Sequence, residues 1–297
     1  MVNSDLIKYP DGWTYDEFDQ AAKSMPEQVS FMEGTLHNDM LKIFLSTSLQ
    51  RFVDYEKKTV DVQNDDMRRL IEMTNEYGVR IIPADEGKKL VTKSDGTEIY
   101  EAGIHDSTRD KFNEGILAVR DKSIFAVKDY SLDSNQNQGH VSFIGYPSPV
   151  KTGMAVTPQM SLGIVSSGRN KDLAWDFIRA YLMYDVPDGI RDIGLSVNRE
   201  VFEKQCLQEM KEENEIYDDW VRNIGRLPPS DYFAKVSEED IDGLRDLMEH
   251  ADVSCGIDQA MFDVISEEAG GYFAGDRSMD EVLKLISNRA SLIVSEY

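Results

Sequence analysis

The feature that most constrains the fold is residues 140–182, where two short apolar runs enclose a loop and lead into an amphipathic helix. Residues 141–146 have the composition of a strand, and the prolines that follow end it because proline supplies no amide proton to a sheet ladder. Residues 161–166 predict a second, buried strand. Asn170 then caps a helix whose apolar positions recur at the helical period, at Leu173, Ala174, Phe177, Ile178, Tyr181 and Leu182. This order of elements predicts a mixed α/β fold.

Helices dominate the rest of the sequence. Thr14 and Glu17 have the spacing of a capping box, in which each side chain satisfies a free amide of the other residue. Asn64, Ser237 and Ser278 stand where three further helices begin. The predicted strands are few and short, and we expect them to form one small sheet from the runs near Ala118, Ile124, Val141 and Ser161. The predicted fold class is therefore α/β and rich in helices.

Residues 84–106 separate two of these helical regions. They are charged and rich in Gly, Lys and Asp. This composition is typical of an irregular connection, and Asp95 and Gly96 form the kind of dipeptide found in tight turns. We expect at most a hairpin here.

The net negative charge of the chain disfavours some classes of binding partner. The chain has 297 residues, enough for a large core, and a formal net charge of −23. Such a charge repels phosphate backbones and anionic lipid head groups, so nucleic acid and membrane surfaces are disfavoured as partners. A hydrophobic share of 41% with 12 Phe and 13 Tyr predicts a folded domain rather than an acidic disordered tail.

The sequence also carries little evidence of membrane insertion or cross-linking. No apolar run approaches the ~18 residues that a membrane span requires, and residues 1–5 lack the basic and apolar regions of a secretory signal. Cys206 and Cys255 lie far apart and in no metal-binding spacing. We expect both to be buried thiols rather than partners in a disulfide.

Motifs for catalysis or metal binding are missing from the sequence. It contains no G-x-S-x-G, H-E-x-x-H, P-loop or G-x-G-x-x-G motif, and its four histidines are scattered. Residues 133–139 have oxygen-bearing side chains at alternate positions, but Gln138 and Ile144 occupy the places where a calcium loop needs Gly and Glu. We therefore expect no enzyme activity, no cofactor and no metal. Because 55 acidic residues could supply a catalytic carboxylate pair, a carbohydrate-active hydrolase stays an alternative, as does a non-catalytic acidic helical interaction domain.

Several phrases of the sequence resemble one family of transport proteins. They are residues 145–148 (GYPS), 162–164 (LGI) and 171–177 (KDLAWDF), together with 13–18 (WTYDEF) and 272–275 (YFAG). Together they resemble phrases of the extracellular solute-binding proteins of ABC importers, the maltose-binding-like family whose members mostly carry sugars. The resemblance implies a fold like that of type II periplasmic binding proteins.

The resemblance also implies a division of the chain. It covers residues 13–297 and corresponds mainly to the second, C-terminal lobe, with most of the N-terminal lobe unmatched. Residues 1–160 would form the first part of that lobe, and residues 161–205 the return segment that in the family packs on the N-terminal lobe. Residues 206–297 would complete the second lobe with C-terminal helices.

The function implied by the resemblance is non-covalent capture of an oligosaccharide between lobes, for delivery to ABC transporter permease subunits. Family members are exported and often lipid-anchored, so an extracellular or cell-surface location is implied. With one lobe unmatched, we expect sugar affinity to be weak, in the millimolar range, about −4 kcal/mol. We also expect the apolar face of residues 173–182 to be uncovered and open to self-association.

Five residues are candidates for ligand contact. Phe125 matches the position of an aromatic residue that stacks on a sugar ring in the family, or Tyr130 if the register shifts. The other three lie on loops or helix starts that the family turns toward its cleft: His37, Met154 and Phe262. For these three the alternatives are ordinary helix-end capping by His37, loop cover by Met154 and core packing by Phe262.

Overall fold

The computed structural model divides the chain into two compact units. Unit 1 comprises Met1–Arg120, Ser142–Val156 and Ala251–Tyr297, and unit 2 comprises Asp121–Val141 and Thr157–His250. The structure describes residues 1–9, 12–79, 88–92, 98–102, 108–135, 139–151, 154–183, 194–228, 233–251 and 253–296. The sequence-based division at residues 160 and 205 concerns packing between lobes of the family and stays a prediction.

Helices and very short strands make up the regular structure of the described residues. The helices are α1 (Tyr15–Lys23), α2 (His37–Ser46), α3 (Leu49–Phe52), α4 (Asp65–Tyr77), α5 (Thr108–Asn113), α6 (Val127–Ser134), α7 (Lys171–Met183), α8 (Arg199–Ile224), α9 (Glu238–Glu249), α10 (Gln259–Phe273) and α11 (Met279–Glu296). The strands are β1 (Val2–Asn3), β2 (Thr35–Leu36), β3 (Val53–Asp54), β4 (Thr59–Val60), β5 (Gly78–Val79), β6 (Lys88–Thr92), β7 (Glu98–Ala102), β8 (Val141–Ser142), β9 (Ala155–Val156) and β10 (Val253–Ser254). The helix-rich α/β class predicted from the sequence is confirmed.

The core of unit 1 is helical. Helices α2, α4, α10 and α11 pack against one another, and α1 packs on α4. Their inward positions are apolar and buried, and they include Met40, Leu41, Phe44, Leu70, Ile71, Ile265, Val282, Ile286 and Ala290. Because these positions recur every three to four residues along each helix, burying one face is what stabilises the helices together.

Helix starts follow the sequence closely. The Thr14 hydroxyl accepts the Glu17 amide at 3.2 Å while the Glu17 carboxylate accepts the Thr14 amide at 2.8 Å, which confirms the predicted capping box. Asn64 caps α4 through the amide of Met67, and Ser237 caps α9. Caps of this kind depend only on residues within one turn, so the sequence alone predicts them well.

Strand predictions succeeded in part: residues 141–146 contain a short strand, β8, which pairs with β1. Strands β6 and β7 pair antiparallel with Thr92 opposite Glu98, as the predicted hairpin requires, although Asp95 and Gly96 lie outside the described residues. The predicted small sheet is wrong: the described strands form separate two-stranded pairs, among them β2 with β5 and β9 with β10. Near Ala118 there are only isolated bridges.

Residues 161–166 are the clearest correction. The sequence predicts a buried strand there, whereas Leu162, Ile164 and Val165 are all exposed and the segment belongs to no strand. The run at Ile124 is not in a strand either, although Ile124 is partly buried against the core of unit 2. An apolar run becomes a strand only where an adjacent segment of the chain pairs with its backbone amides and carbonyls. The described residues supply no such pairing segment at these two places.

Unit 2 is built on three helices that pack against one another, α6, α8 and α9. Its core comprises Val127, Phe202, Cys206, Val236, Ile241 and Leu244. In contrast, α7 has no buried residue, and Leu173, Trp175 and Phe177 are each more than half exposed. Unit 2 therefore contains one amphipathic helix whose apolar face is not covered by its own described residues.

Candidate functional site

Phe125 lies two residues before α6 and is 45% exposed. Its backbone N–H donates to the Asp129 carboxylate at 3.0 Å, which fixes the backbone just ahead of the helix. The edge of the ring lies close to Gly194. If Gly194 carried a Cβ, that atom would lie 4.0 Å from Phe125 Cδ1. Gly194 has φ +90°, a conformation that residues with a Cβ rarely adopt. Phe125 is thus accessible, and the backbone that carries its ring is hydrogen-bonded to α6.

Gln159 belongs to the same neighbourhood. Its Cγ lies 3.5 Å from the place that a Cβ on Gly194 would occupy, so Gln159 and Phe125 both lie next to Gly194 within unit 2. A glutamine amide offers two N–H donors and one carbonyl acceptor. An exposed aromatic ring beside such an amide can hold a ligand that has both an apolar face and hydroxyl groups.

Sequence reasoning missed Gln159 and Gly194. Gln159 lies in the loop after β9, which the resemblance turns toward the ligand, so the loop but not the residue was foreseeable. Gly194 carries no local signal, because its role depends on the position of a ring nearly 70 residues earlier in the chain.

The first turn of α6 is held by a residue from another helix. The Val127 N–H donates to Glu209 Oε2 at 3.2 Å, and the Lys128 N–H donates to Glu209 Oε1 at 3.3 Å. Burial raises the pKa of the Glu209 carboxyl, the two amide donors lower it, and the nearby carboxylates of Glu213 and Asp129 raise it further, so that its net shift is upward. Glu209 thus binds the backbone of α6 from a buried position, where loss of hydration disfavours the charged carboxylate.

Tyr130 lies on α6 and is half-buried against the unit 2 core. Its phenol packs on Gly243 of α9 so closely that a Cβ there would overlap it. Burial, followed by the charges of Asp240 and Asp246, raises the pKa of Tyr130. Most of the Tyr130 ring is therefore engaged with protein rather than with solvent, and Phe125 is the more accessible of the two predicted aromatics.

His37 is the first residue of α2, in unit 1. Its ring lies against that of Phe273, with centroids 4.5 Å apart and planes inclined by 36°. The adjacent residue Asn38 is within 3.0 Å of the Ser266 hydroxyl. Helix α2 has no side-chain cap, so His37 does not act as the cap that the sequence suggested as its alternative role. These contacts bring the start of α2 against α10.

Phe262 and Met154 also lie in unit 1. Phe262 is in the first turn of α10 and packs, partly buried, against the unit 1 core. Met154 immediately precedes β9 and is partly buried as well. Of the five candidates, Phe125 and Tyr130 thus belong to unit 2, and His37, Met154 and Phe262 to unit 1.

Two features are absent from the part of the chain that is described. Within it, no group of three or more His, Cys, Asp or Glu side chains could hold a metal ion. No helix there is long and apolar enough to cross a bilayer. Comparison with known protein families and with curated proteins finds no match to this chain.

Proposed function

We propose that this chain is the substrate-binding component of an ABC importer and captures a carbohydrate by non-covalent binding, without chemistry. The observation that supports the proposal is Phe125, which is nearly half exposed and lies beside Gly194, a glycine that Gln159 also approaches. It stands at the position that the resemblance assigns to the aromatic that stacks on a sugar.

The physical basis is the two-sided character of a sugar. A pyranose ring presents C–H groups on its face and hydroxyls around its rim, so it binds best where an aromatic face adjoins hydrogen-bonding groups. Phe125 supplies the face, and the Gln159 amide can both donate to and accept from a hydroxyl. Affinity then depends on stacking and paired hydrogen bonds, which require no cofactor.

The exposure of α7 is a second supporting observation. Leu173, Trp175 and Phe177 are each more than half exposed, in a helix with no buried residue. Soluble proteins rarely leave such an apolar surface open unless it contacts another surface. This agrees with the expectation from the resemblance that residues 161–205 pack on a lobe outside the matched region. We propose that the same face also drives self-association of this chain.

Calorimetric titration with oligosaccharides of several linkages tests the proposed function. We expect the chain to bind at least one of them with a Kd in the millimolar range, about −4 kcal/mol, and Phe125→Ala to abolish that binding. Phe177→Ala removes another exposed aromatic and should leave the Kd unchanged. If no sugar binds at about 10 mM, or if Phe125→Ala binds as well as wild type, the proposal is wrong.

A product assay separates binding from hydrolysis. The same oligosaccharides are incubated with the chain and the released reducing ends are measured. We expect ligand-dependent thermal stabilisation without product release. Release of reducing ends in proportion to protein concentration would favour the hydrolase instead.

Sedimentation velocity tests the proposed self-association. Leu173→Ser with Phe177→Ser replaces two exposed apolar side chains of α7, so this double variant should sediment as a monomer at concentrations where wild type forms larger species. A wild type that is monomeric at all concentrations would contradict this part of the proposal.

A further inference from the structure

We propose that Glu209 is a positioning residue for the carbohydrate site, because it holds the first turn of α6 and with it the backbone that presents Phe125. The inference rests on the proposed function for its ligand. Glu209 itself lies on α8 and is not proposed to touch the sugar.

The first turn of α6 needs a partner that its own sequence does not supply. The opening amides of any helix have no acceptor within the helix, and a side-chain oxygen at the N-cap residue usually satisfies one of them. In α6 the N-cap residue is Ala126, which has no such oxygen. The Glu209 carboxylate takes this role from α8, with one oxygen on Val127 N–H and the other on Lys128 N–H. Its negative charge also suits the positive end of the helix dipole.

Phe125 is coupled to this turn in two ways. Its backbone N–H is held by the side chain of Asp129, which belongs to the same first turn. Its own position in the chain is only two residues before Val127, the first amide that Glu209 accepts. A shift or fraying of the turn would therefore move the Phe125 ring away from Gly194 and Gln159, which belong to other segments of unit 2.

A neighbouring contact provides a matched control. Lys128 Nζ lies 2.9 Å from Glu213 Oε2, so Glu213 joins α8 to α6 through a side chain rather than through the backbone. Glu213→Gln removes one negative charge from the same helix pair and leaves the amides of α6 capped. If Glu209 acts only by electrostatic attraction between the two helices, the two variants should behave alike.

Three variants and two measurements test the inference: Glu209→Gln, Glu213→Gln, and Glu209→Gln combined with Ala126→Ser. The nuclear Overhauser effect between the Phe125 ring and the Gly194 α-protons reports the placement of the ring, and calorimetry reports the Kd for a bound oligosaccharide. In Glu209→Gln we expect the Overhauser effect to weaken and the Kd to rise about tenfold. In Glu213→Gln both should match wild type.

The double variant is the decisive one. Ala126 has the extended backbone (φ −152°, ψ 160°) that N-cap residues adopt, so a serine there can cap α6 from its own chain position. We expect it to restore both the Overhauser effect and the Kd. Restoration by a local cap shows that Glu209 acts through the amides of α6.

Each outcome decides the matter. An unchanged Overhauser effect in Glu209→Gln overturns the inference, as does a double variant that stays impaired. If Glu209→Gln does not fold, a folded double variant with the wild-type Overhauser effect supports the inference, and an unfolded one overturns it. If wild type binds no sugar, the proposed function fails, while the Overhauser measurements still decide whether Glu209 positions Phe125.

Discussion

The indole N–H of Trp13 donates to the backbone carbonyl of Gly145 at 3.2 Å, across 132 positions of the chain. Trp13 is 1% exposed, and its ring meets that of Phe18 edge to face at 5.0 Å. Gly145 has φ +74°, which a residue with a Cβ rarely adopts. Burial and these contacts give Trp13 a structural role in the core of unit 1.

Trp13→Phe tests the contribution of this contact to stability. The change removes the indole donor and part of a buried ring, so the free energy of unfolding should fall by about 1–3 kcal/mol. Urea denaturation measures it. Trp175→Phe, in exposed α7, is the control and should change stability by less than about 0.5 kcal/mol. Equal effects of the two substitutions would contradict the assigned role.

Two helical glycines should respond in opposite directions to alanine. Gly243→Ala would overlap the phenol of Tyr130, so we expect a loss of about 1–3 kcal/mol in the free energy of unfolding. A Cβ at Gly270 in α10 would meet nothing within 4 Å, so Gly270→Ala should stabilise the chain by about 0.5–1 kcal/mol through helix propensity. Thermal and urea unfolding of both variants check the pair. A stabilised Gly243→Ala variant would show that Tyr130 does not pack on α9.

Acid should weaken unit 1 through Asp19. Burial raises the pKa of Asp19, but hydrogen bonds from Lys23 and Tyr77 together with the charges of Lys23 and Arg69 outweigh burial, and the net shift is downward. The folded state therefore binds this proton less tightly than the unfolded state, whose Asp pKa is about 3.9. The stability that Asp19 contributes is fully present above that pKa and is lost as pH falls through the lowered folded pKa.

Urea unfolding of Asp19→Asn between about pH 7 and pH 3 measures this contribution. The difference in stability between wild type and variant should be largest near neutral pH and shrink in acid. Tyr77→Phe removes one donor, at 2.6 Å from Asp19 Oδ1, and should reproduce part of the effect. A difference that does not vary with pH would refute the assignment.

The thiol of Cys206 should be inert in the folded chain. Both cysteines are buried thiols, as the sequence predicted. Burial, followed by the charges of Glu209 and Glu203, raises the pKa of Cys206 to about 12, so almost no thiolate forms at neutral pH. A chromogenic disulfide reagent should therefore detect no thiol within minutes in the native protein and two after unfolding. Rapid labelling of the native protein would contradict the placement of Cys206.

The sequence predicted best what depends on neighbouring residues. Thr14 and Glu17 form the expected capping box, and the expected hairpin appears as β6 and β7, because a turn of helix or a tight loop is decided within a few residues. Residues 161–166 failed because an apolar pattern does not reveal whether a second strand lies beside it.

The candidate site was predictable only in part for a similar reason. Phe125 was found through the resemblance and is accessible in the structure. Glu209 was not found, because it lies more than 80 positions from the amides that it accepts and stands in an acidic helix among many similar carboxylates. A missing cap at Ala126 was the one local sign that a partner from elsewhere was needed.

The division of unit 1 into three chain segments has a consequence for biosynthesis. Helices α10 and α11, which bury Leu41, Leu70 and their neighbours, follow unit 1's first segment after about 130 further residues. At about 5–20 residues per second, a ribosome needs on the order of ten seconds to make that interval. During it the parts of α2 and α4 that α10 and α11 later cover stay unburied, which makes them candidates for chaperone binding. Unit 2 is completed first and can fold before the unit that encloses it in sequence.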